Sequence, residues 1–157
     1  MIRWHTILVS LLLLVSESVA SFTINLQFNS SLSSVYRQPF YQAASFWESQ
    51  ITGYRINDPS LPGLTIQANV TPIDGADGIL GSAGPLTAAL FNQVILNGEV
   101  LPSNHAMAIT GAMDFDTADV DRMIADNTFE DVIIHEMGHV IGFGTVWNLN
   151  FYNTLYN

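Results

Sequence analysis

The sequence predicts an α+β fold in which a mixed or antiparallel sheet packs on helices. Three observations carry that prediction. Two stretches, residues 22–28 and 64–70, alternate apolar and polar side chains with period two. Two others, residues 40–51 and 129–141, place apolar side chains at helical spacing. The chain has 157 residues and no cysteine, so a single domain must rest on a hydrophobic core without disulfides.

The elements follow in order. Phe22, Ile24, Leu26 and Phe28 alternate with Thr23, Asn25 and Gln27, the pattern of a half-buried strand. Pro39 suits the first turn of the next helix. On that helix Phe40, Ala43, Ala44, Trp47 and Ile51 share a face, and Gly53 suits its end. Trp47 is in register with this stripe and reads as core rather than as a binding aromatic. Residues 58–63 form a turn-rich loop. Leu64, Ile66, Ala68 and Val70 make a second strand, ended by Pro72.

Residues 74–85 read as a glycine-rich loop. It lacks the Gly-Lys-Ser/Thr ending of a phosphate loop, and Asp74 and Asp77 lack EF-hand spacing, so a solvated turn is expected. Residues 86–96 fit either helix or strand: Ala88-Ala89-Leu90 favours the first, Val94-Ile95-Leu96 the second. Residues 106–115 read as a strand. Asp116 and Thr117 are good helix starters, with Asp119 in an acidic first turn and Val120, Met123 and Ile124 facing inward. Capping and a solvated helix face account for most of the run Asp114, Asp116, Asp119, Asp121 and Asp126.

Composition narrows the function classes. The formal charge is −10, from 14 Asp+Glu against 4 Lys+Arg, and no residue is lysine. Nucleic acid and anionic membrane surfaces call for basic patches and are not expected partners. The absence of cysteine excludes a thiol nucleophile and Cys-ligated zinc or iron–sulfur sites. Arg3, the apolar run of residues 7–15 and Ser18-Val19-Ala20 form a secretory leader, with cleavage expected after Ala20. Residues 1–20 are then a signal peptide, the mature chain starts at Ser21, and the protein is secreted. No later segment has the length of a transmembrane helix. Asn29-Ser30-Ser31 and Asn69-Val70-Thr71 fit the N-glycosylation pattern.

The chemistry concentrates near the C-terminus. Thr128-Phe129-Glu130-Asp131 has the form of a capping box with Asp in its last place. The helix that follows is strongly apolar through Ile133, Ile134, Met137, Val140 and Ile141, so it is expected to be buried. It nevertheless carries His135, Glu136 and His139, which are costly to bury without partners. His135 and His139 are four residues apart on one helix face, so both imidazoles can reach one metal ion. Neutral imidazole suits Zn²⁺. Glu136 sits beside the ion without ligating it and can act as general base on zinc-activated water. This is the H-E-x-x-H pattern of zincins.

Gly142 follows His139 by three residues, the place where the longer metzincin motif turns toward a third histidine. Thr145 stands where that histidine would be. The segment from His135 through Gly142, Phe143, Gly144 and Thr145 to Trp147 resembles the active-site segment of leishmanolysin-like zinc metallopeptidases. Leu80-Gly81-Ser82-Ala83-Gly84-Pro85 and Met113-Asp114-Phe115-Asp116-Thr117-Ala118-Asp119 resemble further blocks of that family.

The resemblance implies a zincin-like catalytic domain over residues 21–157. It also implies Zn²⁺ bound by His135 and His139, with Glu136 as the catalytic base. In that family an insertion separates the glycine turn from a third histidine and a methionine turn. Neither has a match here, so the chain is expected to be truncated at its C-terminus and its site incomplete, with weak zinc affinity and little or no peptidase activity from residues 21–157 alone. His105 is the best upstream candidate for a third ligand by chemistry, although a Pro-Ser-Asn-His turn favours a solvated loop residue.

The expected function is secreted zinc-dependent endopeptidase acting on protein or peptide substrates. A strand within residues 80–115 would pair with the extended substrate. The alternative is a secreted metal-binding or interaction module without catalytic turnover.

Overall fold

The structure is a computed structural model. It describes residues 21–29, 32–51, 53, 63–96 and 99–146, without the side chains of 92–98 and 100–105. The leader at 1–20, loop residues 58–62 and the tail 147–157 lie outside the described residues. The described residues form an α+β fold in the order β1 (Ile24–Phe28), α1 (Ser34–Gln50), β2 (Leu64–Thr71), β3 (Gly81–Leu96), β4 (Glu99–Asp116), α2 (Thr117–Ala125) and α3 (Phe129–Ile141). The sheet order is β1-β2-β4-β3. β1, β2 and β4 run parallel, and β3 pairs antiparallel with β4. A parallel pair needs a long crossover, which α1 supplies between β1 and β2. Both α1 and α3 pack on the sheet and on each other.

β2 and α3 fall where the periodicity places them, and β1 starts two residues later than expected, at Ile24. α1 does not begin at Pro39. It begins at Ser34 and carries Pro39 inside. The Tyr36 hydroxyl donates to Asp121 of α2 at 2.7 Å, which pins this first turn to the rest of the fold. Proline at 39 denies the Val35 carbonyl its helical partner. Val35 is 63% exposed, so water can serve instead.

The stretch 81–96, which had fitted helix or strand, is strand throughout, and residues 81–85 belong to β3 rather than to the glycine loop. Pairing with β4 overrides the helix preference of the alanines. Pro85 is tolerated because β3 is an edge strand, with register shifts from Pro85 to Ala88. His105 lies in β4, opposite Phe91, and not in a turn. Its side chain is outside the described set.

The capping box does not form either. The Thr128 side chain makes no cap bond; its backbone N–H and hydroxyl both go to the Met123 carbonyl, at 2.9 and 3.4 Å. Thr128 closes the end of α2 because only Asp126 and Asn127 separate it from that helix.

Phe40, Phe115 and Phe129 are fully buried and meet edge to face, with ring centroids 5.3–5.7 Å apart. They tie α1, β4 and α3 into one core. Gly111 of β4 lets α3 come close. A Cβ there would meet Val140 Cγ1 at 2.2 Å and the Gly84 carbonyl oxygen at 2.9 Å. Gly111→Ala is therefore expected to overpack this contact and cost about 1–3 kcal/mol. Urea unfolding checks it, and an unchanged midpoint would show that α3 is not seated this tightly.

Candidate functional site

α3 is amphipathic rather than buried all round. Phe129, Ile133, Met137, Gly138 and Val140 face the core, while His135 is exposed and Glu136 and His139 are half-buried. The expected burial of this helix holds for its core face and not for its histidine face. The sheet and α1 cover one side of α3, and its histidine face opens outward. Burial therefore does not mark the site; convergence does.

The two imidazoles converge through Nε2, 3.1 Å apart, with their rings nearly perpendicular. The His139 Nδ1 lies 2.8 Å from the Phe143 carbonyl oxygen. A carbonyl only accepts, so Nδ1 carries the proton and the His139 Nε2 lone pair faces His135. Without a metal, the His135 Nε2–H donates across the 3.1 Å gap. Tetrahedral zinc with bonds of about 2.0–2.1 Å sets two ligating nitrogens roughly 3.3 Å apart. The observed spacing and the neutral Nε2 of His139 fit that demand for two of the ligands. Among the described residues, no group of three or more His, Asp or Glu side chains is placed to hold a metal.

The turn after α3 explains why the Phe143 carbonyl faces back. Gly142 ends the helix at φ 127°, a conformation that glycine adopts readily, and Gly144 follows at φ 78°. The N–H groups of Gly142 and Phe143 both bond the Gly138 carbonyl. The Thr145 hydroxyl donates to the His139 carbonyl at 2.6 Å. The residue at the third-histidine position of the longer motif thus caps the helix that carries the pair.

Beside His135 and Glu136 lies an open cleft of about 460 Å³, also lined by Ile79, Leu80, Gly81, Asp131 and Val132. One wall is α3; the other is the entry into β3. Among the described residues β3 pairs with β4 on one side only, so it is an edge of the described sheet.

The loop before β3 is held by a group that the sequence reading treated as a cap and part of a solvated acidic face. Asp116 and Asp119 are both buried. Asp116 does cap α2, accepting the Ala118 N–H at 2.8 Å through Oδ1. Its Oδ2 also accepts the N–H groups of Ile73, Asp74 and Gly75 at 2.8–3.1 Å. Asp119 accepts the Asp77 N–H at 3.0 Å and pairs with Arg122, which also bonds Asp77. Asp77 and Arg122 thus join a built clamp, and residues 73–79 are not merely a solvated turn. The signal available in sequence was the Asp-rich start of α2 facing a glycine loop of matching donors.

The Ala118 N–H, followed by that of Asp74, lowers the Asp116 pKa from 3.8 to about 2. A depressed carboxylate stabilises the fold above its unfolded pKa and loses that contribution as pH falls through the folded value. The thermal midpoint is thus expected to fall as pH drops from about 4 toward 2. In Asp116→Asn it should start several degrees lower and respond less across that window. Midpoints that move in parallel for both proteins would contradict this role.

His135 and His139 are thus brought together on α3, and His135 and Glu136 line the cleft beside them. The sequence reading missed the Phe143 carbonyl, the Thr145 hydroxyl and the Asp116 clamp. Asn69, a candidate glycosylation site, donates its side-chain amide to Asp114 at 3.2 Å within the sheet. Comparison with protein-family models, curated proteins and solved structures finds no match to this chain.

Proposed function

We propose that this chain is a zinc-dependent endopeptidase with a zincin-like domain, of the kind its active-site segment resembles. The observation that carries the reading is the paired Nε2 atoms of His135 and His139, 3.1 Å apart, with Glu136 on the adjoining cleft. His135 and His139 hold the metal, and the Phe143 carbonyl keeps His139 in the ligating tautomer. Zinc, when bound, supplies Lewis acidity at the scissile carbonyl.

Glu136 takes a proton from the attacking water and passes it to the leaving amine. The free edge of β3 offers main-chain groups to an extended peptide. Ile79, Leu80 and Val132 offer apolar surface for one of its side chains. The leader makes the protein an exported one.

Metal uptake and casein cleavage test the reading. The purified protein is expected to take up about one Zn²⁺ per chain, and His139→Ala to lose most of that affinity. Equal uptake by wild type and the His135→Ala/His139→Ala double variant would sink it. Zinc uptake through these two histidines with casein left intact would fit an incomplete site as well as a metal-binding module without turnover.

A further inference from the structure

Trp47 lies on α1, away from the cleft, yet three contacts tie it to the histidine pair. Its indole N–H donates to the Ile134 carbonyl of α3 at 3.0 Å. Its six-membered ring edge lies over Gly138, where a Cβ would meet Trp47 Cζ2 at 3.2 Å. Its ring stacks on Phe143, with centroids 5.4 Å apart and planes at 25°. Phe143 is the residue whose carbonyl holds the His139 Nδ1 proton. Phe143 is 51% exposed, and Trp47 is the partner its ring stacks on among the described residues.

We infer that Trp47 is a positioning residue for His139. It grips α3 one turn before the second histidine, passes over Gly138, and clamps Phe143 so that its carbonyl stays aimed at Nδ1. The turn at Gly142 and Gly144 uses conformations open mainly to glycine, so its backbone has more freedom to rearrange than an ordinary turn. An exposed ring alone would leave Phe143 free to rotate away. Stacking against a tryptophan anchored by its own hydrogen bond removes that freedom. The same contact accounts for Gly138 inside the H-E-x-x-H segment: a larger residue there would push against the indole.

This inference rests on His139 as a metal ligand, but the lock itself can be read without metal. In the metal-free full chain, long-range ¹H–¹⁵N NMR at a pH where the imidazoles are neutral reports the His139 tautomer. Wild type is expected to hold the Nδ1–H form. Trp47→Leu and Phe143→Leu are expected to give mixed tautomers and to weaken Zn²⁺ binding about 10- to 100-fold, the usual effect of losing such a supporting contact. Trp47→Phe keeps a ring for Phe143 but loses the anchoring N–H, and is expected to fall between wild type and Trp47→Leu in both properties. Val120→Ala, on the buried face of α2, serves as a stability control. It should lower the thermal midpoint and leave tautomer and zinc affinity unchanged.

A wild-type tautomer in both Trp47→Leu and Phe143→Leu would overturn the inference. So would Val120→Ala shifting the tautomer as far as they do, since the effect would then be one of general stability. A wild-type chain that binds no zinc would instead remove the peptidase reading, with the tautomer comparison still deciding the lock.

Discussion

In any form of the protein that cleaves casein, Glu136→Gln is expected to leave zinc uptake intact and to slow hydrolysis by roughly 100- to 10,000-fold, the range for loss of a general base. Glutamine matches glutamate in shape, so the cleft with Ile79, Leu80 and Val132 keeps its form. What disappears is a carboxylate able to take a proton from water. Zinc uptake survives because the converging atoms are the two Nε2 nitrogens, not the carboxylate. The measurement is a pair: bound zinc per chain, and initial rate on casein. A variant that keeps the wild-type rate would remove Glu136 from the mechanism. One that loses zinc as well would make it a ligand instead of a base.

Phe40→Ala is expected to lower the unfolding free energy by about 3–5 kcal/mol, read from urea titration. Domains of ordinary size hold about 5–15 kcal/mol in total, so this is a large share. Phe40 is fully buried and meets the rings of Phe28, Phe115 and Phe129 edge to face at 5.4–5.7 Å. Removing it takes the shared contact from β1, β4 and α3 together. The surrounding rings cannot all move into the cavity, because each belongs to a different element. Phe46, on the exposed side of the same helix, provides the comparison. Phe46→Ala is expected to change stability by less than about 1 kcal/mol, in line with surface substitutions. Similar losses for the two would contradict the core described above.

Much of this molecule is legible in its sequence because much of it is local. The period-two alternation from Phe22 and from Leu64 determines β1 and β2, since adjacent side chains of a strand must face opposite sides. The bounds of α3 coincide with the apolar period through Ile133, Met137 and Val140. The four-residue spacing of His135 and His139 determines that their rings can meet on one face of the helix.

Only the tertiary structure decided the remainder, and each case involves a distant partner. The alanine-rich stretch in β3 is a strand because β4 supplies its hydrogen bonds. Asp116 gathers the loop at 73–75 because the parallel pairing of β2 with β4 ends both strands side by side, at Thr71 and Asp116. His135 is open because the sheet and α1 can cover only one side of α3. The His139 ring meets a carbonyl turned back by two glycines, and the residue that offers that carbonyl stacks on a tryptophan from another helix. Spacing along the chain sets which groups can meet; packing between elements sets which way they face and what holds them there.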